Sequence, residues 1–257
     1  MRALKQLVRF GWEQALSCLF PVVIFASLAF TKFLPLPFLP RYDWLLIICL
    51  LMQWCMVRSG LETRDELKVI TLFHLIGFAL ELFKVHMGSW SYPEEGYFKI
   101  FGVGVPLYSG FMYASVASFL CQAWRRLKVE LVKWPPFLVV VILASAIYLN
   151  FFTHHYWIDV RWWLSGLVII VFWQSWVTYE VNGTRYRMPL ALSFVLIGFF
   201  IWIAENIATF FGAWKYPNQT DTWSLVHLGK VSSWLLLVIV SFLIVATLKQ
   251  VKGREFQ

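Results

Sequence analysis

Glu81-Leu82-Phe83-Lys84-Val85-His86-Met87-Gly88-Ser89-Trp90-Ser91-Tyr92-Pro93 is echoed by Glu205-Asn206-Ile207-Ala208-Thr209-Phe210-Phe211-Gly212-Ala213-Trp214-Lys215-Tyr216-Pro217. Both stretches fit E-x6-G-[SA]-W-x-Y-P. Each follows a long apolar run, so each reads as a helix that ends inside the motif. Glycine closes the helix and proline prevents its resumption. Tryptophan and tyrosine favour the membrane–water boundary. The pattern places one carboxylate at the same depth in each copy.

The composition agrees with a membrane setting. Of 257 residues, 60% are hydrophobic and 14% are charged, against about 25% charged in an ordinary soluble domain. The apolar runs are continuous rather than alternating, which favours helices over a β-barrel. The net charge of +8 is explained by Lys and Arg gathering in cytoplasmic loops, so nucleic acid is not the expected partner. The lipid bilayer is. Cys18, Cys49, Cys55 and Cys121 all lie in apolar segments without C-x-x-C spacing, which points to buried thiols rather than a disulfide framework or a zinc site. Arg2, Lys5 and Arg9 before an apolar stretch resemble a signal peptide. The absence of a small-x-small site and the interruption by Pro21 favour an uncleaved first helix.

Eight spans are expected: Ala15–Phe33, Trp44–Val57, Val69–Phe83, Val105–Ala123, Pro136–Phe152, Trp162–Thr178, Pro189–Phe211 and Val226–Leu248. The expected fold is therefore an all-α polytopic transmembrane bundle, a single domain over 1–257. Arg2, Lys5, Arg9, Arg58, Arg64, Lys68, Arg125, Arg126, Lys128, Lys133, Arg185, Arg187, Lys249, Lys252 and Arg254 would share one side. Lys32, Arg41, Lys84, Lys99, Arg161, Lys215 and Lys230 would occupy the other. That division, 15 against 7 of the 22 Lys and Arg, puts both termini in the cytoplasm. Two four-span repeats in the same orientation, about 1–130 and 131–257, follow from the motif. Gln53 and Gln174 echo one another, as do Leu75-Ile76-Gly77-Phe78 and Leu196-Ile197-Gly198-Phe199.

Gly88-Ser89-Trp90-Ser91-Tyr92-Pro93 followed by Gly104-Val105-Pro106-Leu107-Tyr108 resembles the YoaT-like family of bacterial integral membrane proteins, a group without an assigned activity. The resemblance implies a bacterial inner-membrane location. A helix with a Glu, then W-x-Y, then a G-x-P-L entry is also similar to membrane carotenoid hydratases and integral-membrane lycopene cyclases. Pro93-Glu94-Glu95 resembles an acidic Pro-containing motif of those cyclases. The second half departs from this, with Pro217-Asn218-Gln219 and Gly229-Lys230-Val231 in the matching places.

Glu81 and Glu205 are the candidate catalytic residues, because a carboxylate within hydrocarbon faces a protein interior and takes a partner. His74 and Lys84 lie near the Glu81 face of the same helix, while Asn206 and Lys230 are the polar candidates of the second half. Trp90, Tyr92, Trp214 and Tyr216 would wall a substrate site. The plain alternative is an ion pair that fixes helix packing. His154, His155 and Asp159 are a loose set of metal-ligand types, read more simply as a hydrated loop. No nucleotide, hydrolase or cofactor motif occurs, so no cofactor is expected.

Three classes of function remain, ranked with the enzyme ahead of the transporter. A membrane enzyme would protonate a hydrophobic isoprenoid or lipid from a neutral Glu81 or Glu205, with aromatic faces stabilising the cation. A transporter for a small solute or ion would use the two halves for alternating access. A structural or binding protein needs no chemistry. The bet between the carboxylates is that Glu81, near His74 and Lys84, is ion-paired and that Glu205 holds a proton.

Overall fold

The computed structural model describes residues 2–34, 36–100 and 104–255. The side chains of Arg2, Lys249, Lys252 and Arg254, all part of the charge division above, lie outside the described residues. The chain divides into two compact units. One comprises Met1–Leu19, Ser118–Ile201 and Gly229–Gln257, the other Phe20–Ala117 and Trp202–Leu228. Neither follows the two sequence halves.

The described residues are mostly helical, in the order α1 (Arg2–Ser17), α2 (Leu19–Phe33), α3 (Arg41–Arg58), α4 (Arg64–His86), α5 (Ser109–Arg126), β1 (Glu130–Val132), α6 (Phe137–Thr153), α7 (Arg161–Val171), β2 (Trp176–Val181), β3 (Thr184–Pro189), α8 (Leu190–Phe210) and α9 (Lys230–Glu255). Three of them are long and apolar enough to cross a membrane: α4, α8 and the Lys230–Leu248 part of α9. A fourth span results if α1 and α2 count as one, although they meet at 68°.

Two expectations are corrected here. The run Ala15–Phe33 is not one straight helix, because it breaks at Cys18. Pro21 has no N–H to donate to the Ser17 carbonyl, which removes a hydrogen bond at the break. The run Trp162–Thr178 is helical only to Val171, and its last residues join an antiparallel sheet. The fold is thus not purely α-helical.

That sheet has the order β1-β2-β3. Its register pairs Glu130 with Thr178 and Thr178 with Arg187. Trp176-Val177-Thr178-Tyr179 is rich in residues suited to a pleated surface. Asn182 and Gly183 take φ values of 51° and 76°, the left-handed pair that a two-residue hairpin turn requires. Lys128–Glu180 and Arg185–Glu130 bridge at 2.9 and 3.2 Å on the sheet's exposed face. In the same unit, Phe172, Phe194, Phe242 and Trp134 form a continuous aromatic core.

The second unit positions the repeated motif. Thr63 and Glu66 form a reciprocal cap that starts α4, satisfying two of its orphan N–H groups. Further along, Gly77 lets α5 approach closely: a Cβ there would lie 2.1 Å from the Tyr113 ring. Gly110 does the same for His74. Small residues at these two crossings bring the α5 side chains over the Glu81 face of α4.

Candidate functional site

The two motif copies leave their helices in the same way. Ser89 N–H bonds the Lys84 carbonyl at 2.9 Å and Gly88 N–H the Val85 carbonyl at 3.0 Å. Correspondingly, Ala213 N–H bonds Ala208 at 2.9 Å and Gly212 N–H bonds Thr209 at 3.0 Å. Gly88 and Gly212 both adopt positive φ, 69° and 74°. Each helix end is a Schellman closure, which glycine accommodates without Cβ strain. The chains then meet. Ser91 and Lys215, the middle residues of the two W-x-Y triplets, exchange N–H···O bonds of 2.9 Å in both directions. Equivalent residues pairing reciprocally make a local two-fold arrangement.

Each motif tyrosine turns back to its own glutamate. Tyr92 donates to Glu81 Oε2 at 2.7 Å, and Tyr216 donates to Glu205 Oε1. Both glutamates are buried, at 5% and 3% exposure. Glu81 receives two more donors, Trp90 Nε1 at 2.8 Å and the Tyr113 hydroxyl at 2.7 Å. All three are neutral. The expected pairing of Glu81 with His74 or Lys84 is therefore replaced by phenols and an indole, because the loop after α4 folds back over the carboxylate. The second tryptophan is placed differently: Trp214 lies beside the Tyr216 hydroxyl. The Trp90 and Tyr216 rings, one from each motif, meet edge-on at 6.0 Å. The two carboxylates thus belong to one centre.

Burial first, and then the charge of its own glutamate, push the hydroxyls of Tyr92 and Tyr216 well above the usual tyrosine range. These phenols remain donors throughout the physiological range.

The other candidates separate. His74 packs against the rings of Phe78 and Phe111. Lys84 is buried in the last turn of α4. Asn206 binds backbone, donating to the Trp202 carbonyl at 2.8 Å and accepting from Val226 N–H at 2.9 Å. Lys230 opens α9, in the other compact unit. His154 and His155 stack at 4.2 Å. Asp159 is held by the Asn150 amide and by Arg161, through both its backbone and its guanidinium. No group of three metal-ligand types occurs among the described residues.

Several residues outside the expected set complete the site. Arg41 binds the carbonyls of Leu28 and Phe211 at 2.9 and 2.6 Å, the hydroxyl of Thr31 at 3.0 Å and the carboxylate of Glu94. It thereby ties α2, at Leu28 and Thr31, to the carbonyl that follows α8. Asp43 is fully buried and accepts N–H groups from Tyr97 and Phe98 at 2.8 and 3.0 Å, which ties down the acidic loop. Tyr108 donates to the Ala213 carbonyl at 2.6 Å. Arg41 and Asp43 were legible as two opposite charges opening an apolar helix. A cavity of about 460 Å³ lies beside them, lined by Thr31, Lys32, Leu36, Leu39, Arg41, Trp44 and Glu94. It adjoins the second motif, since a Cβ on Gly212 would lie 3.3–3.6 Å from Lys32, Arg41 and Glu94.

The family model described as protein of unknown function (DUF817) matches residues 6–242. The chain is similar to the uncharacterized protein YoaT of Bacillus subtilis (strain 168), at 88% identity over 255 residues, covering 99% of this chain and 96% of that protein. No solved structure matches.

Proposed function

The chain belongs to the DUF817 family, and from that premise we propose that it is a proton-coupled membrane transporter of a small polar solute. The observation that carries this reading is the buried carboxylate pair Glu81 and Glu205, set on the apolar helices α4 and α8 and surrounded by phenols. Two carboxylates buried in one cluster of aromatic side chains share a proton more readily than they both ionise. In this reading Glu205 carries the exchangeable proton. A buried acid that gains and loses one proton suits a proton relay.

The cavity beside Gly212 supports a polar cargo, since Lys32, Arg41 and Glu94 line it. The enzyme reading draws less support. Both Glu81 oxygens already accept protein hydrogen bonds, whereas an acid for a hydrophobic polyene must face an apolar cavity. The likeness to carotenoid hydratases and lycopene cyclases therefore ranks below transport, and a purely structural role below both.

The chain is placed as a multi-pass protein of the bacterial inner membrane, with both termini cytoplasmic. Its eight spans are α2 to α9, one for each expected apolar run. α2, α6 and α7 are short, and a locally thinned bilayer accommodates them. The shared motif supports halves of about 1–130 and 131–257 that repeat in the same orientation. Single cysteines at Ser91 and Asn218 in a cysteine-free background test the topology, because both should react with an impermeant thiol reagent from outside. Proteoliposomes with an imposed proton gradient test the activity. Solute uptake should follow the gradient and vanish in Glu205→Gln. Flux equal to that of empty vesicles over a broad solute panel defeats transport.

A further inference from the structure

The face that α1 leaves uncovered is of the wrong kind for water. Leu4, Leu7, Val8 and Trp12 are exposed at 66%, 65%, 65% and 57%. With Gly11 and Ala15, also exposed, they follow the i, i+3, i+4, i+7 spacing of one helical stripe. The opposite side of α1 is the packed one, and it is mostly polar. Gln6 donates to Thr184 at 3.3 Å, Phe10 meets the Tyr179 ring at 5.4 Å, and Glu13 pairs with Arg126 at 3.3 Å. The helix is therefore pinned by its polar side to the β2–β3 hairpin and the end of α5, within its own unit, and presents its apolar side outward. Lys5 and Arg9, both exposed, lie together along one border of the stripe.

We propose that α1 is not part of a span but lies in the membrane interface, seated on a bilayer with anionic headgroups. This rests on the membrane reading above and assigns α1 a different role from α2. The 68° bend after Ser17 gives a change of direction between a surface helix and a span. An apolar face with tryptophan on one side and basic residues at its edge suits burial about 5–10 Å into the headgroup–acyl boundary. The cationic border commits the surface to acidic lipid, since each Lys or Arg near such a surface adds attraction to it.

The test uses the full chain in vesicles, with native cysteines replaced by serine and spin labels placed singly by Leu4→Cys, Val8→Cys, Arg9→Cys and Trp12→Cys. Labels at Leu4, Val8 and Trp12 should be accessible to oxygen at one shallow depth, and the label at Arg9 to a water-soluble nickel reagent. Depth that increases steadily from Leu4 to Trp12 means a spanning helix and overturns the proposal. So does exposure of the Leu4, Val8 and Trp12 labels to nickel. Protection from both reagents would mean that protein, including a second copy, covers the stripe, and overturns it equally. The Val8 label should sit deeper in phosphatidylglycerol-containing vesicles than in phosphatidylcholine alone, and Lys5→Gln should reduce that shift. Equal depth in both lipids refutes the choice of an anionic surface. Release of the whole protein by alkaline carbonate would instead refute the underlying membrane reading.

Discussion

Residues 81–93 and 205–217 share a backbone and differ in side-chain wiring. The Schellman closures, the positive-φ glycines and the tyrosine that returns to the helix glutamate, eleven residues on in both, are common to the two copies. The tryptophans diverge: Trp90 donates to Glu81 itself, whereas Trp214 lies beside the Tyr216 hydroxyl. Tyr113 adds a third donor to Glu81 from α5. Similar backbones thus hold two carboxylates in different settings, Glu81 accepting from Trp90, Tyr92 and Tyr113 and Glu205 accepting from Tyr216, and the transport proposal gives the exchangeable proton to Glu205.

The sharpest way to break this comparison is to neutralise each carboxylate in turn. In Glu81→Gln the amide N–H₂ would confront donors. With hydrogen bonds to a charged group at about 1.5–3 kcal/mol each, the loss should approach 3–4 kcal/mol. Glu205→Gln mimics a protonated acid and should stay within about 1 kcal/mol of the parent while proton coupling disappears. Thermal unfolding of both in detergent reads the difference. Equal destabilisation of the two would show equivalent structural anions and remove the proton role of Glu205.

Next in size is Gly77→Ala. Its methyl must displace the Tyr113 ring, an overpacking cost of about 2–3 kcal/mol combined with a weakened bond to Glu81. Unchanged melting would mean that α4 and α5 are not so closely apposed. Tyr113→Phe removes only the hydroxyl and should cost about 1.5–2 kcal/mol. In a Glu81→Gln background that cost should shrink, and a double-mutant cycle measures the coupling.

The glycine pair probes the shared backbone more gently. Gly88→Ala and Gly212→Ala should each cost about 1 kcal/mol for a left-handed L-residue. Gly212→Ala should be slightly worse, because its methyl would meet Lys32 and Arg41 while that of Gly88 meets open space. Urea titrations would rank them, and the reverse order would place the cavity elsewhere. The smallest effect is one of pH. Burial raises the Tyr92 and Tyr216 hydroxyls in the folded chain, so their contribution to stability is intact below the unfolded value near 10 and declines as pH rises beyond it. Between pH 7 and 9 neither Tyr92→Phe nor Tyr216→Phe should alter the pH dependence of melting. A change there would mean that one phenol ionises early.

The chain's own residues determined much of this. Apolar runs identified helices, Gly and Pro marked where α4 and α8 end, and the recurring motif singled out Glu81 and Glu205. These features are local: a helix needs only its period and a helix exit only its glycine. The hairpin turn was written locally too, in Asn182-Gly183, but its first strand begins inside the apolar run Trp162–Thr178, whose hydropathy resembles that of a helix. Only the tertiary structure decided the rest. Tyr113 reaches Glu81 because two glycines bring α4 and α5 together, and Arg41 meets the end of α8 across a long stretch of chain. Such contacts depend on which elements become neighbours, and neighbours are selected by packing over the whole unit rather than by spacing along the chain. The same reason replaced the expected ion pair at Glu81. His74 and Lys84 were close in sequence, but the loop that returned to cover the carboxylate carried neutral donors.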